Sequence, residues 1–206
     1  LLLEKGYELV IVDDLSNSKE KVLENIYKIK IKFPVFEKID LKDKESVSKL
    51  FNNYDFDGII HFAAHKSVNE SVNYPDKYFK NNVGSLENII YEIQKLKKPM
   101  NFIFSSSCTV YGQADSMPIN EGFELKKAES PYGQSKRKCE EILENFHKTG
   151  HNFKNITLRY FNPIGAHPTS LIGELPIGIP ENLVPYITQT AVGKSCLLYT
   201  SPSPRD

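Results

Sequence analysis

The chain has 206 residues, 40% of them hydrophobic and 25% charged, with 26 basic residues matched by 26 acidic ones. That length fits one domain and is short for two, the zero net charge argues against an electrostatic nucleic-acid binder, and the composition is not that of a disordered chain. Apolar runs fall well short of the ~18 residues of a membrane span, and three cysteines (Cys108, Cys139, Cys196) without a CxxC pair fit a reducing, cytoplasmic setting.

Residues 1–5 read as the last turn of a helix, with Gly6 just past its end. Residues 7–12 (YELVIV) form an apolar strand ending on Asp13 and Asp14, and a helical pattern follows over 19–30. Residues 35–39 are a short strand ending in Asp40, and 46–51 belong to an amphipathic helix opened by Asp43. Residues 58–64 (GIIHFAA) read as a buried strand, and 75–97 as a long helix with Pro75 in its first turn. Residues 101–106 form a strand, 130–148 a helix with Ser130 as N-cap and Pro131 at its first position, and 155–160 a strand. Residues 161–182 read as an ordered Gly- and Pro-rich loop, 181–193 as a last helix, and 195–206 as loop or disorder broken by Pro202 and Pro204.

Short apolar strands alternating with helices predict α/β architecture: a doubly wound, Rossmann-like parallel sheet, incomplete and without its first strand. Such sheets bind ligands beyond the carboxyl ends of their strands. Each predicted strand ends in small or polar residues, so that edge is the expected site. Asp13 stands where an acid at the end of a strand hydrogen-bonds ribose hydroxyls. An acid there favours NAD over NADP, whose 2′-phosphate it would repel. The Gly-rich turn that holds a pyrophosphate is expected upstream of Leu1.

Tyr132 and Lys136 are four apart on a predicted helix and share a face. An ammonium and a cationic nicotinamide near a phenol lower its pKa and make it a usable base. The same spacing recurs at Tyr91 and Lys95, which read as helix surface. What sets Tyr132 apart is its cap and Ser107, 25 residues earlier at the end of a buried strand. The neighbouring Ser105 and Ser106 are expected to serve strand-end hydrogen bonding. His147 and His151 read as a solvated pair, His61 and His65 lack a third ligand, and no metal is expected.

The blocks SSSCTVYG (105–112), SPYGQSK (130–136), LRYFNPIGAHP (158–168) and GIPENLVPYI (178–187), with HFAAHKSVNESVNYP (61–75) and NNV (81–83), carry a resemblance over residues 1–194. The chain resembles the extended short-chain dehydrogenase/reductases and, within them, the UDP-glucose 4-epimerase branch. That resemblance implies an NAD-dependent isomerase interconverting UDP-glucose and UDP-galactose through a 4-keto intermediate. It implies Tyr132 as base, Lys136 as its tuner and nicotinamide-ribose ligand, and Ser107 as the group that orients the sugar hydroxyl. It places Asp13, Asp14, Asn17 and Ser18 around the adenosine ribose, and Asp40 and Leu41 at the adenine. Phe62, Ala63, Ala64, His65 and Lys66 would line the dinucleotide, with Asn81 and Phe161 as further cofactor contacts. Thr109, Asn162, Asn182 and Leu183 would face the UDP-sugar. Relatives are often homodimers, and neither nucleic acid nor membrane is an expected partner.

Residues 1–160 would then be the NAD-binding domain and 161–194 the start of the UDP-sugar region. Residues 195–206 do not resemble the family and are expected to be an artefactual or disordered tail. Residues gating N-acetylated sugars would lie beyond Lys194. Two other readings stay open: another nucleotide-sugar epimerase or dehydratase, and an inactive NAD-fold fragment. Dehydratases of this kind carry an acid pair after the threonine, where this chain has Val110 and Tyr111.

Overall fold

A computed structural model describes residues 1–30, 33–174, 180 and 182–194. The chain divides into two compact units, Leu1–Lys38 with Asn162–Asp206, and Ile39–Phe161. The expectations for residues 195–206 lie outside the described residues.

In the first unit, Gly6 takes φ 83° and closes the 3-10 turn Leu3–Lys5, donating its N–H to the Leu3 carbonyl. A left-handed residue at a helix end is where glycine costs least. Strand β1 (Val10–Asp13) pairs in parallel with β2 (Val35–Lys38), Val10 opposite Val35 and Asp13 opposite Lys38. Helix α1 (Lys21–Lys30) joins them in sequence, as a parallel pair requires.

In the second unit, β3 (Gly58–His61), β4 (Met100–Ser107) and β5 (Phe153–Tyr160) form a parallel sheet in that order. Helix α2 (Lys44–Asn53) is capped by the Asp43 carboxylate, which accepts from the Glu45 N–H at 3.1 Å. Helix α3 (Val68–Asn73) is absent from the expected elements. Its start is nonetheless written locally: Ser67 accepts from the Glu70 N–H at 3.1 Å, the Ser-x-x-Glu spacing of a helix start.

The helix expected over 75–97 is three pieces: α4 (Pro75–Tyr78), a π-helical turn (Phe79–Val83) and α5 (Gly84–Ile93). Such wide turns tend to occur at functional sites, and this one carries Asn81 and Asn82. Helix α6 (Pro131–Lys148) begins as expected, with Ser130 accepting from the Gly133 N–H at 3.1 Å and Pro131 at the first position. In the first unit the last helix is α7 (Leu183–Ala191), two residues shorter at each end than the sequence pattern suggests.

Alternate residues of β4, Met100, Phe102 and Phe104, enter the core of the second unit. There they meet Leu86, Ile89, Ile90 and Ile93 of α5 and Cys139, Leu143 and Phe146 of α6. The parallel α/β arrangement read from the alternation is borne out. No helix among the described residues is long and apolar enough to cross a membrane.

Candidate active site

Tyr132, Lys136 and Glu140, spaced by four along α6, meet the carboxyl end of β4, while Ser135 and Cys139 bond Asn82. Tyr132 is 9% exposed and Lys136 3%. The Lys136 Nζ donates to the Ser105 carbonyl at 2.7 Å and lies 4.9 Å from the Phe104 ring centroid. Burial pushes this ammonium down to about 8, opposed by Cys139 and Glu140. Burial also pushes the Cys139 thiol up to about 12, so it is not a nucleophile at neutral pH.

The Ser107 side chain faces the Tyr132 phenol closely enough to favour its ionised form. The Ser107 Oγ also accepts from the Thr109 N–H at 3.3 Å and the Thr109 hydroxyl at 3.0 Å. Thr109 lies in the 3-10 turn Cys108–Tyr111, which starts directly after β4. Tyr78 packs edge-on against Tyr132 at 6.4 Å, its hydroxyl donating to Glu70 at 2.7 Å.

In the chain alone burial raises the Tyr132 phenol, outweighing the Ser107 side chain, and Cys108 adds to the rise; the expected lowering invokes a cationic nicotinamide beside the ammonium. Lys136 is not among the groups that move it, and its ammonium donates to the Ser105 carbonyl. The other Tyr/Lys pair behaves as surface: Tyr91 is exposed, with the Lys95 Nζ 4.2 Å over its ring.

The residues expected at the adenine and along the dinucleotide lie in the same unit, and Asp40 is linked to Asn81 through Lys42. Asp40 pairs with the Lys42 Nζ at 3.1 Å, and that Nζ donates to the Asn81 Oδ1 at 3.0 Å. Leu41 offers its carbonyl to Asn88 at 2.9 Å. Phe62, Ala63 and Lys66 are exposed past the end of β3, with Ala64 half-buried. Phe161 is exposed, its ring 6.3 Å from that of Tyr111.

Asn82, missed by the sequence reading, ties these parts together. It is 2% exposed. Its Oδ1 accepts from the His65 N–H at 2.8 Å and from Asn81 at 3.1 Å. Its Nδ2 donates to the His65 carbonyl at 3.1 Å and to the Ser135 Oγ at 3.0 Å. Ser135 in turn donates to the Tyr132 carbonyl at 2.7 Å. The local signal was available: a polar pair inside an apolar helix, and a serine between Tyr132 and Lys136. Also missed were Glu140 and Arg159, joined by two hydrogen bonds at 3.1 and 2.7 Å. Ser106, expected to make a strand-end bond, donates its hydroxyl to that same carboxylate.

In the other unit, the Asp13 Oδ1 accepts from the Leu15 N–H and from the Ser18 hydroxyl, each at 2.7 Å. Leu15 takes φ 59°, and the Asp14 Oδ1 accepts from the Ser16 N–H at 2.9 Å. Asn17 is exposed on this turn. Asn162 is also left-handed, at φ 46°. Asn182 precedes α7 and donates its side-chain amide to Glu174, and Leu183 is exposed beside it.

The chain matches the family described as GDP-mannose 4,6 dehydratase over residues 1–201. It belongs to that family. Its relatives include UDP-glucose 4-epimerases of Bacillus subtilis (strain 168), 45% identical over 193 residues, and of Schizosaccharomyces pombe, 44% identical over 198. Both alignments take in 94% of this chain but only 56% and 55% of the relatives. The chain thus spans little more than half the length of the curated relatives it matches. The UDP-glucose 4-epimerase of Bifidobacterium longum, solved with NAD+ and UDP, superposes with a TM-score of 0.90 at 39% identity, over 94% of this chain and 58% of that one. The enzyme from Stenotrophomonas maltophila, solved with NAD and formylated UDP-arabinopyranose, gives 0.88 at 42% identity, over 93% and 56%. The resemblance read from the motif blocks is borne out by these relatives.

Proposed function

We propose that the protein is an NAD-dependent 4-epimerase that interconverts UDP-glucose and UDP-galactose. The observation that carries this reading is the Tyr132 phenol facing the Ser107 side chain, with the Lys136 ammonium one helical turn on, bonded to the end of the same strand. The relatives and solved structures named above support it. Residues 1–160 would serve the dinucleotide and 161–194 would begin the UDP-sugar region. The free thiols of Cys108 and Cys139 support a reducing, cytoplasmic setting.

The donor set fits NAD. The Asp13 carboxylate stands at a strand end, where ribose hydroxyls are held and a 2′-phosphate would be repelled. Asp40, Leu41, Phe62 to Lys66, Asn81, Lys136 and Phe161 would contribute further contacts. Bound NAD would supply a hydride acceptor and, in its oxidised ring, positive charge close to the phenol.

Tyr132 would take the proton from the sugar 4-hydroxyl, a step worth roughly 10²–10⁴ in rate. In the chain alone burial keeps that proton on the phenol, so added positive charge is what makes it a base. Ser107 would hold the reacting hydroxyl against Tyr132. Thr109, Asn162, Asn182 and Leu183 would face the UDP-sugar, the amides bonding phosphate or uracil without titrating.

A 4,6-dehydration is disfavoured by Val110 and Tyr111, which follow Thr109, are buried and carry no carboxylate. The test is a coupled assay of the full-length protein with UDP-galactose. Formation of UDP-glucose is expected, slowed by roughly 10²–10⁴ in Tyr132→Phe. No UDP-glucose from the parent, or full activity in that variant, overturns the proposal.

A further inference from the structure

Three successive serines of β4 each engage one residue on the catalytic face of α6. Ser107 faces Tyr132, Ser105 accepts from Lys136 through its carbonyl, and the Ser106 hydroxyl donates to Glu140. The α6 residues are spaced by four, so one helix face is matched to one strand end. The first two contacts belong to the chemistry proposed above. The third involves a residue with no part in it.

The Glu140 carboxylate is 12% exposed and holds more than Ser106. Its Oε1 accepts from the Arg159 Nε at 3.1 Å and its Oε2 from the Arg159 Nη2 at 2.7 Å. That two-point geometry fixes direction as well as distance. Arg159 lies on β5, and its guanidinium sits 4.7 Å over the Tyr111 ring. Tyr111 ends the turn that starts with Cys108 and carries Thr109. One carboxylate therefore ties α6 to β4, to β5 and, through Arg159, to the turn behind Ser107.

We propose that Glu140 is the positioning residue of this site, holding the Tyr132–Lys136 turn of α6 in register with Ser105, Ser107 and Thr109. The proposal rests on the epimerase reading and deepens it. Glu140 does not touch the reacting atoms. It acts through Ser106 and Arg159 on the residues that do. Glu140 also favours the charged form of Lys136 against burial, in keeping with that role.

The experiment uses the full-length protein with saturating NAD, assayed with UDP-galactose, and measures kcat, KM and thermal stability for Glu140→Gln and Ser106→Ala. Misplacing reacting groups by about 1 Å costs on the order of 100-fold, so Glu140→Gln should lower kcat by about 10- to 100-fold well below its Tm, with KM moved less than about twofold. Ser106→Ala loses one hydrogen bond and should lower kcat by roughly 2- to 5-fold with the same KM pattern.

A merely structural carboxylate would lower Tm and leave kcat per folded enzyme within about twofold of the parent; that result overturns the proposal. If Glu140→Gln does not fold, Ser106→Ala decides, and an unchanged kcat there overturns it. Loss of activity in Tyr132→Phe beside full activity in Glu140→Gln overturns this inference alone. A parent inactive on UDP-galactose overturns both it and the epimerase reading.

Discussion

The Lys136 ammonium, 3% exposed, donates to the Ser105 carbonyl at 2.7 Å rather than to the Tyr132 phenol one turn before it. Its charge is thereby parked at the strand end. Burial lowers its pKa from 10.5 to about 8.

The sign of the resulting pH dependence follows from which state holds the proton. Between about pH 8 and 10.5 the unfolded chain keeps the Lys136 proton and the folded chain has released it. Stability from this group therefore rises with pH in that window, by roughly 1.4 kcal/mol per pH unit. Below about pH 8 the buried charge is a fixed cost. Lys136→Met should abolish activity, and its stability difference from the parent should shift across pH 8–10.5 in the parent's favour. Denaturant titrations without nucleotide at pH 7, 8, 9 and 10 measure this; a constant difference would refute it.

His61 gives a second window of the same sign, on the acid side. It lies between Phe102 and Phe104, with ring centroids 6.1 and 6.0 Å away, and its Nε2 has no hydrogen-bond partner among the described residues. Burial first, and the Lys136 charge second, push it down to about 3. The folded chain holds it neutral while the unfolded chain protonates it below about pH 6.5. Stability should fall as pH drops from there toward 3, by roughly 1.4 kcal/mol per unit from this group. His61→Leu should lose less stability than the parent between pH 7 and 5 in parallel thermal melts.

Tyr132→Phe should separate chemistry from folding. The substitution removes only the hydroxyl that faces Ser107 and leaves the ring packed against Tyr78. A net change of about 0.5–1.5 kcal/mol in stability is expected, against a loss of roughly 10²–10⁴ in kcat. Circular dichroism melts and the coupled assay on one preparation check both.

Asn82→Leu should be severe for stability. It removes the Asn82 partners of the part-buried His65 N–H and carbonyl and of the buried Ser135 hydroxyl. Each unsatisfied buried group costs about 1–3 kcal/mol, so a loss of roughly 3 kcal/mol or more is expected. Asn82→Asp, which keeps the acceptor for the His65 N–H but not the donors, should fall between. Equal melts for the three proteins would contradict the role assigned to Asn82.

Much of this molecule is local and therefore written in order along the chain. The Asp43 and Ser130 caps, Pro131 at the start of α6 and the left-handed Gly6 depend on backbone geometry within a few residues. The parallel α/β class follows from the alternation of apolar strands with helices. The spacing of Tyr132 and Lys136 settled that they share a face, and the motif blocks pointed to the family. Tertiary structure alone decided what that face meets. Asn82 finds Ser135 across 53 positions and Arg159 finds Glu140 across 19. It also decided the direction in which the Tyr132 phenol moves. A charge four residues away in sequence suggests a lowered pKa, but the energy of an ion depends on everything that displaces water around it. Only the packed chain sets that sum.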